Sequence, residues 1–142
     1  MTSFRFAFFA AVASVLTSAP AIAQPYQRPT DYVCEEMHRQ LQRWSEVEMR
    51  RRFALWNDPF TGRSGESCEI VAHRGPQGRA FDSLFAQIQE RLEGEGWKGS
   101  APHSRDGRAN SNFGFVNQQG VLCSFAFQAV ADPQIKVNCV KP

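Results

Sequence analysis

Apolar residues recur along the chain with two different periods, and the changes of period divide it into elements. From Val33, the positions Met37, Leu41, Trp44 and Val47 follow at steps of four, four, three and three. At about 100° per residue these fall on one stripe of an amphipathic helix. Thr30 or Asp31 is placed to cap it by accepting a bond from an orphaned backbone N–H. The next stop signal is Asn57-Asp58-Pro59, so the pattern predicts a first helix ending near Trp56. Residues 57–67 read as a loop rich in turn formers, and residues 68–74, CEIVAHR, as a short strand broken by Gly75-Pro76. A second helix follows, with Phe81, Leu84, Phe85, Ile88 and Leu92 on one face and Gly94 and Gly96 at its end. Residues 98–111 read as a polar loop.

In the last thirty residues the period changes to two. Asn117-Gln118-Gln119-Gly120 suits a type I turn followed by a left-handed glycine. That turn sets Phe115 opposite Cys123 and Phe113 opposite Phe125. A five-residue loop from Ala129 to Pro133 then sets Phe127 against Ile135, Phe125 against Val137 and Cys123 against Cys139. A slip by one residue would mix apolar and polar faces, whereas a slip by two keeps them. The predicted fold is α+β: a two-layer domain, with two main helices packed on a small antiparallel sheet that ends in a three-stranded meander.

The N-terminus changes the domain count. Arg5, an apolar run from Phe6 to Leu16 and the small residues Ala21-Ile22-Ala23 make residues 1–23 a cleavable secretory signal peptide. Residues 24–30 are expected to be a flexible tail, and residues 31–142 a single domain exported to the periplasm or secreted. Removing 23 of the 142 residues also removes Arg5, so the formal charge falls from +2 to about +1. That balance gives no support to a nucleic-acid partner. Four cysteines in an oxidising compartment predict two disulfides, with three connectivities open to them. The meander register favours Cys123–Cys139 and leaves Cys34–Cys68.

Several constellations bear on chemistry. Cys34, His38, Cys68 and His73 are zinc-ligand types, but Cys68 and His73 are an odd separation apart in a strand and point to opposite faces. Structural disulfides are the stronger expectation, and no cofactor or metal is predicted. GxSxG, HExxH, CxxC and a phosphate-binding glycine loop are all absent, and no sequence rule brings His73, Asp82 and His103 together. Lys98, His103, Arg105 and Arg108 fall within eleven residues beside a single Asp106, a candidate anion-binding loop.

The run EVEMRRRFALW, residues 46–56, placed on the predicted helix, spreads Arg50, Arg51 and Arg52 about 100° apart and pairs Glu46 with Arg50 and Glu48 with Arg52. The same helix leaves Met49, Phe53 and Trp56 on a second stripe, a candidate partner-docking surface. These features predict a small exported, non-catalytic binding domain of the cell envelope, whose partner is an envelope protein or an anionic ligand. The alternative is a small periplasmic hydrolase using a histidine and a cationic loop. Oligomeric state is not encoded in any of these patterns.

Overall fold

The computed structural model describes residues 23–45, 47–72, 79–105, 110–128 and 134–142, with the side chains of 79–82 and 110 left aside. The predicted signal peptide therefore lies outside the described residues apart from Ala23. So do Glu46, His73, Asp106, Arg108 and the 129–133 loop.

The architecture is α+β, with two helices and a six-stranded antiparallel sheet. The elements are α1 (Asp31–Ser45), β1 (Arg50–Asn57), β2 (Ser64–Ala72), α2 (Arg79–Gly94), β3 (Lys98–Arg105), β4 (Asn110–Val116), β5 (Leu122–Gln128) and β6 (Gln134–Val140). The strands lie in the order β1-β2-β6-β5-β4-β3. The sheet is twice as wide as the predicted meander, because two stretches expected as helix and loop are its edge strands.

The first correction concerns residues 46–56. Helix α1 stops at Ser45, whose hydroxyl donates to the Leu41 carbonyl at 2.6 Å and accepts from the Val47 N–H at 3.2 Å. One side chain thus satisfies a terminal carbonyl and turns the chain out of the helix. Residues 50–57 then pair with β2 along their whole length, with Phe53 opposite Cys68 and Arg52 opposite Glu69. A helical period fits Met49, Phe53 and Trp56 equally well, but pairing with β2 decides for a period of two. Met49 and Phe53 pack with the main core, while Trp56 joins a second cluster. No uncovered stripe remains, and Arg28 lies 3.4 Å over the Phe53 ring.

The second correction concerns the stretch 98–111, of which Lys98–Arg105 form β3 and Asn110 begins β4. Pro102 and an irregular register between Ser100 and Arg105 fit an edge strand, where a missing N–H and a bulge are tolerated.

Helix α2 and the meander follow the sequence expectation. The pairs Phe115–Cys123, Phe113–Phe125, Cys123–Cys139, Phe125–Val137 and Phe127–Ile135 are all present. Asn117 closes the β4–β5 turn through its side-chain oxygen, which accepts from the Gln119 and Val121 N–H groups, and Gly120 adopts φ +79°. Both disulfides form, Cys34–Cys68 tying α1 to β2 and Cys123–Cys139 joining β5 to β6. Met37 and Leu41 of α1, and Leu84, Ile88 and Leu92 of α2, cover one face of the sheet. Phe85 packs edge-on against Phe113 and Phe127 at 4.3 and 4.4 Å, an arrangement aromatic quadrupoles favour.

The segment expected to be a flexible tail is anchored. Tyr26 pairs with Gly65 and Gln27 with Lys141, so the chain wedges between the start of β2 and the end of β6. Tyr26 is buried and stacks on Trp56 at 5.6 Å, closing a small second core with Leu122 and Val140 on the face away from the helices. Gly65 allows this approach, since a Cβ there would collide with the Tyr26 backbone.

Candidate functional site

The helix-free face of the sheet carries two polar clusters. The first is centred on Asp58, in the β1–β2 turn. Its Oδ2 accepts from the Tyr26 and Thr61 hydroxyls, both at 2.6 Å, and from His103 Nε2 at 2.8 Å, while Oδ1 accepts from the Phe60 N–H at 2.9 Å. Burial by itself would raise the Asp58 carboxyl, but the bonds from Thr61, Tyr26, His103 and Phe60 outweigh it and hold it at about 2. Burial and the bond to this carboxylate in turn raise the Tyr26 hydroxyl above its ordinary value. An ionised carboxylate only accepts, so Nε2 carries a proton, and in the neutral ring Nδ1 accepts from Ser100 Oγ at 2.9 Å.

The resulting Ser100–His103–Asp58 chain has the order of an activated hydroxyl. Its setting is that of a staple. His103 is only 4 % exposed, packs edge-on against Phe60 at 5.5 Å, and lies over Gly114, where an added Cβ would collide with the His103 Cβ. Asp58 is also shared with three other donors. Neither Ser100 nor His103 lines the grooves described below.

The second cluster is cationic. Strand alternation turns Arg50 and Arg52 to the same face, about 7 Å apart. They line a groove of about 520 Å³ with Arg51, Glu69, Gln134 and Lys136. Glu69 is almost fully buried at its floor, accepting from Arg52 Nε at 2.6 Å and from Lys136 Nζ at 2.8 Å. Burial would raise the Glu69 carboxyl, but the bonds from Lys136 and Arg52 prevail and lower it. Three cations, Arg50, Arg52 and Lys136, thus share the face of one carboxylate, whereas Arg51 starts from the opposite face of the strand. Arg50 and Arg51 form no ion pair among the described residues. A carboxylate inside the apolar run CEIVA was the sequence signal for this cluster, since a strand buries such a group only with partners. Reading Arg50–Arg52 on a helix hid it.

The described members of the predicted anion loop lie in a strand and apart from one another. Lys98 and Arg105 occupy opposite ends of β3, His103 is committed to Asp58, and Arg108 lies outside the described residues. Arg105 is exposed, with its guanidinium 5.2 Å over the Phe60 ring. The predicted zinc set is dissolved by chemistry: Cys34 and Cys68 are bonded to each other, and His38 donates to the Met49 carbonyl at 2.8 Å. Among the described residues no cluster of three or more metal-ligating side chains occurs, and no helix is long and apolar enough to cross a membrane. A third groove, of about 250 Å³, separates α1 from the β4–β5 turn and is lined by Tyr32, Met37 and Trp97.

No family model matches the chain, and no curated protein or solved structure is found to be similar to it.

Proposed function

We propose that this protein is a small exported binding domain without catalytic activity, and that it takes an anionic ligand in the groove lined by Arg50, Arg52 and Lys136. The observation that carries this reading is the charge of that groove, where Arg50, Arg52 and Lys136 stand against one buried carboxylate on an accessible sheet face. A guanidinium with unused donors presents a planar fork that matches a carboxylate or phosphate. Export is supported by the two disulfides, which persist in oxidising compartments.

Chromatography on phosphocellulose tests this reading. Arg50→Gln/Arg52→Gln should elute at clearly lower salt than the unaltered protein. A charge-matched Arg39→Gln/Arg43→Gln variant of α1 should move much less. Equal shifts for the two double variants would reduce the effect to net charge and overturn the assignment.

The hydrolase reading retains one supporting observation, the hydrogen-bonded chain from Ser100 through His103 to Asp58. Covalent labelling of Ser100 by a phosphonofluoridate, abolished by His103→Gln, would establish it in place of the binding domain. An unlabelled Ser100 removes its basis.

A further inference from the structure

The strand register places the cationic groove within a longer feature. Arg50 is opposite Val71, Val71 opposite Lys136, Lys136 opposite Ala126, Ala126 opposite Asn112, and Asn112 opposite Arg105. One row of residues therefore crosses all six strands on the helix-free face, with an arginine at each end and a lysine within. Every member is exposed or half-exposed. In the neighbouring row the inner members Glu69, Asn138, Ser124 and Gly114 are buried. A second groove, of about 360 Å³, shares Gln134 and Lys136 with the first and carries the depression on to Gln128 and Asn112.

The spacing of charge along this row selects among anionic ligands. Arg50 and Lys136 are two strand steps apart, about 10 Å, and Lys136 and Arg105 are three steps apart, about 14 Å. Between them lie Val71, Ala126 and Asn112, with Gln134 and Gln128 alongside. A polyphosphate or nucleic-acid strand carries a charge on every unit, and most of its charges would face these uncharged residues. An acidic polysaccharide with a carboxylate on alternate sugars places a neutral ring between successive charges. Its hydroxyls both donate and accept, which is the capacity of the Asn and Gln amides lining the intervals. An acidic peptide would gain most by pairing its backbone with a strand edge, but this row runs across the strands, whose interior backbone groups are already paired.

We infer that the ligand of the anion site is an acidic polysaccharide, lying across the strands from Arg50 through Lys136 to Arg105, with its sugar rings against Asn112, Gln128 and Gln134. This inference rests on the anion-binding reading and narrows it to a ligand class and a direction.

Isothermal titration of the disulfide-bonded protein with hyaluronan oligosaccharides, which carry a carboxylate on alternate sugars, and with polyphosphate and poly-glutamate of matched charge tests it. The hyaluronan oligosaccharide should bind at least about tenfold more tightly than the other two. Arg50→Gln and Arg105→Gln should each weaken it about tenfold, the scale of one charge-assisted hydrogen bond. Asn112→Ala/Gln128→Ala should weaken binding of the hyaluronan oligosaccharide but leave polyphosphate unchanged. Equal affinity for the three polymers, or a neutral effect of the amide variant, overturns the polysaccharide while leaving the anion site in place. Absence of any Arg50-dependent binding overturns both.

Discussion

His103 Nε2 donates to Asp58 Oδ2 at 2.8 Å, joining β3 at one edge of the sheet to the turn that leaves β1 at the other. The six strands are therefore spanned on their helix-free face by one side-chain bond. The same carboxylate gathers Tyr26 from the N-terminal segment. Three stretches distant in sequence converge on a single buried charge, and the stability of this face should depend on it.

Asp58→Ala leaves the Tyr26 hydroxyl, the His103 ring N–H and the Phe60 N–H without their acceptor. A loss of about 3 kcal/mol or more is expected in urea denaturation, because each buried unsatisfied group costs roughly 1–3 kcal/mol. Tyr26→Phe removes one donor but keeps the carboxylate partnered by Thr61, His103 and Phe60, and should cost only about 1 kcal/mol.

The same carboxyl sets an acid limit. Its folded value, about 2, lies below its ordinary value of 3.8. A lowered acid contributes its stability in full above the unfolded value and loses it as pH falls through the folded one. The contribution of roughly 2 kcal/mol should therefore disappear between about pH 4 and pH 2. Urea midpoints measured across that window should fall for the unaltered protein and fall less for Asp58→Asn.

Glu69→Gln separates binding from folding. Removing the buried carboxylate releases Arg52 and Lys136 to a ligand, so anion affinity should rise. Stability should drop by about 1–3 kcal/mol, because the neutral amide no longer pairs with both cations. Elution at higher salt together with a lower urea midpoint is the expected combination.

Gly114→Ala tests the seat of His103. An added Cβ meets the imidazole and the Ser100 side chain together, and a loss of about 1–3 kcal/mol is expected in a urea titration. The analogous change at Gly94, where nothing approaches, should have little effect by this route.

The two disulfides close spans of 34 and 16 residues. Loop-closure entropy then gives roughly 4 kcal/mol for Cys34–Cys68 and roughly 3 kcal/mol for Cys123–Cys139. Paired alanine variants, compared by thermal melting, should rank in that order. Peptide mapping without reductant should recover only these two links.

The local signals were strong where period, turn and cysteine spacing agreed. Helix α2 and the β4–β6 register follow from them, because a one-residue slip would have put Phe113, Phe125 and Val137 into water. The two disulfides follow from that register. Residues 46–56 carried no such agreement: their apolar positions satisfy a helix or a strand, and only pairing with β2 selects the strand. Arg50, Lys136 and Arg105 are dispersed over three strands, so no spacing along the chain encodes their common row. Asp58 and His103 are likewise 45 residues apart, and each looks like an ordinary loop residue until the sheet brings them together. What the sequence by itself determined was the elements that bury apolar side chains, since periodicity is a local property. The polar face was decided only by strand order and register, which depend on contacts between residues far apart in the chain.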